Sequence, residues 1–176
     1  MDKIKKAIRT IPDFPIKGIM FRDVTTLYSN PEAMKEVINL TCNYWKNKSL
    51  TCIAGIEARG FITGSIIANE LSLPFIPIRK KGKLPHDTHS QEYNLEYGTA
   101  TIEIHMDALN KNDNVLIVDD LIATGGTAMA CIELIHKLEA KVRGCTFIID
   151  LPELGGRKKI EDKGIEVQSL CNFEGH

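Results

Sequence analysis

The sequence has almost no excess of charge of either sign. Its 22 Lys and Arg residues are balanced by 23 Asp and Glu residues, which gives a formal net charge of −1 at pH 7. A surface that holds DNA or RNA needs an excess of positive charge to neutralise phosphates. The balance therefore argues against nucleic acid as a partner, and any basic cluster has to be judged locally.

Cysteine patterns of a disulfide framework or a zinc site are also missing. The five cysteines are scattered, odd in number and never form a Cys-x-x-Cys pair. They are Cys42, Cys52, Cys131, Cys145 and Cys171. This pattern is typical of structural thiols in a reducing compartment.

Long apolar runs are absent as well. No uninterrupted apolar stretch approaches membrane-spanning length, and residues 1–9 are charged and amphipathic rather than the apolar core of a secretory signal. We therefore expect a cytoplasmic protein without a membrane partner. A chain of 176 residues with 43% hydrophobic content can bury a substantial core, so residues 1–176 are expected to form a single domain.

Two common nucleotide-binding loops, the Walker A motif and G-x-G-x-x-G, do not occur, so an NTPase or a dinucleotide enzyme gains no support. The most informative segment is instead VLIVDDLIATGGT, from Val115 to Thr127. Its first four residues are apolar without alternation, which predicts a strand buried on both faces of a parallel α/β sheet.

The second half of this segment predicts a site for a phosphorylated sugar. Asp119 and Asp120 fall at the carboxyl end of the strand, where parallel sheets bind ligands. Residues 123–127 allow close backbone approach, and a helix predicted over 128–138 offers unpaired N–H groups to a phosphate. Carboxylates repel phosphate but accept hydrogen bonds from sugar hydroxyls. A turn with an acidic helix cap is the simpler alternative, although it requires neither the Asp pair nor the Gly pair between threonines.

Strand and helix patterns alternate along the rest of the chain, as in βαβ units. Helices are predicted over residues 31–46 and 61–70, the first with Asn30 as its N-cap. Strands are predicted over residues 51–56, 75–79, 99–105, 142–149 and 165–169. The predicted fold class is α/β, with a mainly parallel twisted sheet flanked by helices.

VLIVDDLIATGGT resembles the phosphoribosyl pyrophosphate (PRPP) motif of the type I phosphoribosyltransferases. Three further similarities, which together extend over nearly the whole chain, narrow the resemblance to the adenine phosphoribosyltransferase family. They are DFP with GIMFRD (13–15 and 18–23), GIEARGF (55–61), and RKKGKLP with LEYG (79–85 and 95–98). The resemblance implies the type I phosphoribosyltransferase fold and the transfer of a 5-phosphoribosyl group from PRPP to adenine, which gives AMP and pyrophosphate.

In the PRPP motif, the resemblance implies that five loop residues bind the 5′-phosphate: Ala123, Thr124, Gly125, Gly126 and Thr127. Asp119 and Asp120 would bind the ribose hydroxyls. Mg²⁺ would be the cofactor, held mainly through PRPP, with Asp120 as an indirect partner.

Basic residues are implied at the pyrophosphate. Arg59 would be a catalytic residue that meets the leaving group, and its planar fork of donors suits phosphate oxygens. In the family this turn can hold a non-proline cis peptide, so we expect one near residues 57–59. Arg79, Lys80 and Lys83 would also contact pyrophosphate, and such a cluster commonly reaches a neighbouring subunit, which implies a homodimer. From the residues alone, this basic run could be a solvated face or a small nucleic-acid anchor.

The segment from Gly82 to Gly98 is polar, is bounded by glycine and lacks a helical period. It therefore predicts a mobile lid loop over about residues 82–98 that excludes water from the reaction. The resemblance implies that Glu96 is a catalytic residue that exchanges a proton with the base, although alone it could be a solvated loop-end carboxylate. His86 to His89 depart from the Gly-Pro-Thr-like stretch common in the family, and two histidines with one Asp are an incomplete metal set.

Base recognition is implied for a small N-terminal hood, about residues 1–30. Phe21 would stack on adenine, the Met20 backbone would read the Watson–Crick edge, and Arg22 would support the site. From the residues alone, Phe21 could be a core aromatic.

Two other functions stay open: a phosphoribosyltransferase for another purine such as xanthine, and a non-catalytic PRPP-binding regulator. A regulator would need a DNA- or RNA-binding element, for which the sequence has no basic surplus.

Overall fold

A computed structural model describes residues 2–94 and 98–175 of the chain. The helices are α1 (Asp2–Ala7), α2 (Thr25–Tyr28), α3 (Pro31–Trp45), α4 (Arg59–Leu71), α5 (Gly126–Lys137) and α6 (Gly156–Glu161). The strands are β1 (Arg9–Pro12), β2 (Met20–Asp23), β3 (Cys52–Ile56), β4 (Phe75–Lys80), β5 (Thr88–Asn94), β6 (Thr99–His105), β7 (Asn114–Ile122), β8 (Lys141–Asp150) and β9 (Glu166–Asn172). A short 3₁₀ helix spans Pro152–Leu154.

Within the described residues, seven strands form the central sheet in the order β5-β6-β4-β3-β7-β8-β9. The strands from β4 to β9 in this order run parallel, whereas β6 is antiparallel to both β4 and β5. The predicted fold class, a mainly parallel sheet flanked by helices, is confirmed.

The two faces of the sheet carry separate cores, and β7 contributes to both. Val115 and Ile117 pack in a core that contains α5. Leu116 and Val118 pack in the opposite core, with residues of α1 to α4. Successive side chains of a strand point to opposite faces, so an uninterrupted apolar run is what a central strand covered by helices on both sides requires.

Helix α3 has the N-terminal cap that the sequence predicts. The Asn30 side chain accepts a hydrogen bond from the Ala33 N–H at 3.1 Å, and Pro31 occupies the first helical position. This cap satisfies one of the N–H groups that the first turn leaves without a partner in the helix.

The predicted lid loop differs from the structure over residues 88–94, where β5 pairs with β6 from Thr88–His105 to Asn94–Thr99. β5 is an edge strand, so its polar residues remain partly exposed and give little apolar signal. Residues 95–97 lie outside the described residues.

The N-terminal residues form a small unit beside the central sheet. β1 and β2 pair as an antiparallel hairpin, with Arg9 opposite Asp23 and Pro12 opposite Met20. In the part of the chain that the structure describes, no helix is both long and apolar enough to cross a membrane.

Candidate active site

The Asp pair lies where β7 loses one of its neighbours. The pairing of β7 with β3 stops at Val118, whereas the pairing with β8 continues to Ile122. Asp119 and Asp120 therefore lie within the last four residues of β7, and the pairing with β8 continues beyond them. On the β3 side, however, the edge of β7 is open at these residues, and a cleft begins there.

Two adjoining cavities form this cleft. The first has a volume of about 200 Å³ and is lined by Arg59, Phe147 and the continuous run from Asp119 to Ala128. The second, of about 350 Å³, is lined by Ile56, Glu57, Ala58, Arg59, Lys80, Tyr93, Asp119, Asp120 and Thr127. The two share Arg59, the Asp pair and Thr127, so they meet at these residues.

The predicted phosphate loop, residues 123–127, lines the first cavity along its whole length. Gly125 has φ +83°, a conformation that glycine adopts without strain, and it precedes the first residue of α5. The first turn of α5 therefore begins at the cavity wall, where its N–H groups and the positive end of the helix dipole favour an anion.

The two carboxylates are held in a low-dielectric position. Burial, together with the charge of Asp120, raises the pKa of Asp119 well above its usual value. Burial also raises the pKa of Asp120, but Arg59 opposes this shift. The Asp120 N–H donates to the Asp119 carboxylate at 2.9 Å, which fixes the relative position of the two groups. Such carboxylates can accept hydrogen bonds from sugar hydroxyls.

Arg59 is the first residue of α4, two residues earlier than the predicted helix start. Its Nε lies 2.8 Å from Asp120 Oδ2. The adjacent Gly60 packs directly on β7: a Cβ there would lie 2.5 Å from the Val118 carbonyl oxygen. The expected non-proline cis peptide is confirmed, between Glu57 and Ala58.

The basic run is divided between the cleft and a local ion pair. Lys80 lines the second cavity. The Arg79 guanidinium instead makes two hydrogen bonds of 3.2 Å to the Glu57 carboxylate and a third to the Lys83 carbonyl at 3.0 Å. The bond from Arg79 lowers the pKa of Glu57. Of the three predicted pyrophosphate ligands in this run, Lys80 is among the described residues that line the second cavity, whereas Arg79 and Lys83 are not.

The hood meets the cleft through Phe21. Its ring lies 6.0 Å from the Arg59 guanidinium carbon and packs edge-on against Phe14 at 5.1 Å. Phe21 is only partly buried and Phe14 is half exposed, so the interpretation of Phe21 as a core aromatic is not supported. Met20 precedes it at the start of β2.

Arg22 faces away from the cleft. Its guanidinium donates to the Thr10 hydroxyl at 2.7 Å and to the carbonyls of Glu174 and Gly175 at 2.9 and 3.0 Å. It also lies 4.5 Å from the centre of the Phe173 ring. The side chain therefore connects the hood to the segment after β9.

Three residues at the site were not predicted from the sequence. The Tyr28 hydroxyl donates to the Arg59 carbonyl at 3.4 Å, and burial, reinforced by the Asp120 charge, raises its pKa. Tyr93 of β5 lines the second cavity. Lys159 of α6 donates to the Thr124 carbonyl at 2.8 Å. Tyr28 and Lys159 contact backbone carbonyls of cleft residues without lining either cavity, and no local motif marks any of the three residues. Glu96 lies outside the described residues.

Comparisons with known proteins agree with this geometry. A family model of the phosphoribosyl transferase domain matches residues 23–174. The adenine phosphoribosyltransferase of Shewanella frigidimarina is 54% identical over 172 residues, which cover 98% of this chain and 94% of that protein. The Methylobacterium radiotolerans enzyme of the same name is 53% identical, with 98% and 96% covered.

Solved structures are similar over the same extent. The adenine phosphoribosyltransferase of Thermoanaerobacter pseudethanolicus superimposes with a TM-score of 0.93 at 44% identity and covers 98% of this chain and 99% of its own. The Trypanosoma brucei enzyme, in complex with AMP, pyrophosphate and ribose-5-phosphate, has a TM-score of 0.90 at 28% identity, with 97% and 78% covered. The chain thus belongs to the phosphoribosyltransferase family and, within it, to the adenine phosphoribosyltransferases.

Proposed function

We propose that this chain transfers the 5-phosphoribosyl group from PRPP to adenine and releases AMP and pyrophosphate, a reaction of purine salvage. The observation that carries the proposal is the single cleft in which the Asp119–Asp120 pair, the N-terminus of α5 and Arg59 meet. A ribose phosphate requires acceptors for its hydroxyls and donors for its phosphate side by side. The relatives named above support the same reaction.

The PRPP half of the site follows from the chemistry of each group. The 5′-phosphate binds residues 123–127 at the start of α5, where N–H groups and the Thr124 and Thr127 hydroxyls are donors. Asp119 and Asp120 accept hydrogen bonds from the ribose hydroxyls. Arg59 stabilises the charge that develops on the departing pyrophosphate, while the sugar carbon C1′ becomes cation-like.

The remaining basic residues complete the pyrophosphate site in this proposal. Lys80 lines the second cavity beside Arg59. Arg79 and Lys83 contribute after Arg79 exchanges its ion pair with Glu57 for phosphate oxygens. We further propose a homodimer in the cytoplasm, in which this cluster reaches the neighbouring subunit, and sedimentation velocity of the purified protein tests the dimer.

Mg²⁺ enters this proposal with PRPP. Carboxylate oxygens are the donor type that Mg²⁺ takes, and the ion usually keeps waters and substrate phosphates as ligands. Asp120 already faces Arg59 at 2.8 Å, so an indirect, water-mediated contact fits its surroundings. When bound, the ion neutralises charge on the pyrophosphate.

Adenine occupies the space between Phe21 and the cleft. Stacking on Phe21 gives affinity without choosing a base, so selectivity comes from the backbone at Met20. A carbonyl that accepts from the exocyclic amine and an N–H that donates to the ring nitrogen match adenine and mismatch the oxo group of hypoxanthine or guanine. The hood spans about residues 1–30 of one catalytic domain.

Adenine N9 attacks C1′ from the face opposite the pyrophosphate, and Glu96 exchanges the proton on the base. Residues 82–98 cover the reacting groups and exclude water. Since β5 occupies residues 88–94 of this segment and pairs with β6, the lid in this proposal contains a strand rather than being one long loop.

Product analysis tests the proposed reaction. The purified protein is incubated with Mg²⁺ and PRPP together with adenine, hypoxanthine, guanine or xanthine in separate reactions. AMP from adenine alone is the expected result. A nucleotide from xanthine instead would leave the PRPP site in place and overturn the role of Met20 and Phe21. PRPP binding without any product would favour a non-catalytic regulator.

A further inference from the structure

The phosphate loop is held from behind by residues 151–159, which we call the supporting segment. Four consecutive carbonyls of the chain entering α5 accept hydrogen bonds. The Ile122 carbonyl accepts from the Leu151 N–H at 3.0 Å, and the Gly125 carbonyl accepts from the Met129 N–H of α5 at 2.9 Å. Between them, the supporting segment binds the carbonyls of Ala123 and Thr124.

The contact at Ala123 is a close approach of two backbones. The Gly156 N–H donates to the Ala123 carbonyl at 3.0 Å. A Cβ on Gly156 would lie 2.2 Å from the same oxygen and 2.6 Å from the Gly125 nitrogen. Only glycine allows α6 to begin this close to the loop, which places residues of its first turn beside Thr124.

The contact at Thr124 comes from a charged side chain. Lys159 Nζ donates to the Thr124 carbonyl at 2.8 Å. A peptide unit is planar, so fixing this carbonyl also fixes the direction of the next N–H, that of Gly125. A carbonyl that turned toward the cleft would repel a phosphate, and the ammonium group of Lys159 holds it on the other side.

We propose that Lys159 is a positioning residue for the 5′-phosphate: it orients the Thr124–Gly125 peptide so that the loop presents N–H donors, and not a carbonyl oxygen, to PRPP and AMP. This inference rests on the proposed function and names a residue outside the PRPP motif on which phosphate affinity depends. Lys159 lines neither cavity of the cleft; it lines a neighbouring cavity together with Thr124 and Gly126.

Lys158 provides a matched control. It is adjacent in sequence and carries the same charge, but its Nζ lies 3.3 Å from the carboxylate of the exposed Asp162, just after α6. Removing either ammonium group changes the net charge equally. A difference between the two variants therefore reports the position of Lys159 beside Thr124 rather than the change in net charge.

The experiment compares wild type with Lys159→Met, Lys159→Arg and Lys158→Met. Steady-state kinetics gives kcat and the KM values for PRPP and adenine. Calorimetry gives the affinities for AMP and for adenosine, which lacks the phosphate, and a thermal scan gives the melting temperature.

For Lys159→Met we expect the KM for PRPP and the Kd for AMP to rise about tenfold or more, the size expected for a lost charge-assisted hydrogen bond. The adenosine affinity, the adenine KM and the melting temperature should stay close to wild type. Lys159→Arg should recover most of the phosphate affinity, and Lys158→Met should match wild type in every measurement.

Three results would overturn the role of Lys159: unchanged PRPP and AMP affinities in Lys159→Met, equal losses for AMP and adenosine, or the same loss in Lys158→Met. The proposed function is overturned by a different result, in which wild type binds AMP but forms no AMP from PRPP and adenine. In that case the AMP affinities of the variants still decide the role of Lys159. Wild type that binds neither AMP nor PRPP would overturn both.

Discussion

The guanidinium of Arg59 lies 2.8 Å from the carboxylate of Asp120, and this ion pair joins the start of α4 to the carboxyl end of β7. The Asp120 side chain is 4% exposed, whereas that of Arg59 is 45% exposed. The buried carboxylate thus anchors an arginine whose remaining donors face the cleft. The pair uses Nε, and a guanidinium has four further N–H groups for phosphate oxygens.

Asp120→Asn tests this anchor. The amide is nearly isosteric and keeps an oxygen, so we expect the fold to be retained. It loses the charge that holds Arg59 and a strong acceptor for a ribose hydroxyl, so PRPP affinity and turnover should fall about 100-fold or more in combined kcat/KM. Circular dichroism checks the fold, and kinetics with varied PRPP measures the loss. Near-normal PRPP binding and turnover would contradict both roles of Asp120.

Asp119→Asn should stabilise the protein in a pH-dependent way. Burial and the Asp120 charge raise the pKa of Asp119, so ionising it costs folding free energy. This cost is absent at a pH below 3.8, the pKa of Asp119 in the unfolded chain. It grows as the pH rises and is complete above the raised pKa of the folded protein. The variant should therefore melt a few degrees higher at pH 8, with about 2–4 °C for each kcal/mol recovered, and the difference should shrink toward pH 4.

The same substitution at the exposed Asp162 is the control for Asp119→Asn. It should change the melting temperature little at either pH. If Asp119→Asn melted below wild type at pH 8, or if its effect were the same at pH 4, the raised pKa would not describe the folded protein. Activity should fall in the Asp119 variant, since the site loses a charged acceptor for ribose, so stability and function change in opposite directions.

Gly60→Ala probes the contact between α4 and β7. The added Cβ would lie 2.5 Å from the Val118 carbonyl oxygen and 3.1 Å from Asp119 Oδ1, so the start of α4 must move. Arg59 would move with it, and displacements of about 1 Å can cost about 100-fold in rate. We expect a lower melting temperature and a loss of kcat. Ser65→Ala, on the exposed side of the same helix, should leave both unchanged, and a fully active Gly60→Ala would refute this account of the contact.

The sequence predicted the central strands of the sheet better than its edge strand β5. Val115 to Val118 are buried on both faces of the sheet, so their uninterrupted apolar pattern identifies a central strand. Edge strands bury little of their surface, and the polar β5 was therefore interpreted as a loop. Contacts between distant segments leave no local pattern at all: Lys159 reaches Thr124 only because α6 folds back against the loop.

The hood illustrates a second limit. Phe21 and Arg22 are neighbours in one motif, and the resemblance groups both with the base. Neighbouring residues of a strand point to opposite sides, however, and Phe21 and Arg22 both lie in β2. Phe21 thus lies near Arg59, while Arg22 contacts Thr10 on the paired strand and the segment after β9. The alternation could have separated the two residues once the strand was recognised.

Arg22→Met is the corresponding test. Methionine keeps an apolar side chain of similar length but removes the guanidinium, with its contact to the Phe173 ring and its donors to Thr10, Glu174 and Gly175. Because Arg22 is 8% exposed and its charged donors make three hydrogen bonds, their loss should destabilise the fold by about 1–3 kcal/mol. We expect a lower melting temperature together with a raised KM for adenine, while the KM for PRPP changes much less.

Arg143→Met is the control. The Arg143 side chain is 40% exposed and pairs with Glu166, 3.1 Å away, outside the hood. The substitution should leave the adenine KM unchanged and thus separates a specific effect on the hood from general loss of an ion pair. The decisive quantity for Arg22→Met is the ratio of the two KM values. If the protein is destabilised but adenine and PRPP are affected equally, Arg22 only stabilises the chain. A selective loss for adenine means that the contacts with the segment after β9 hold β2, and with it Phe21, in the position that the base requires.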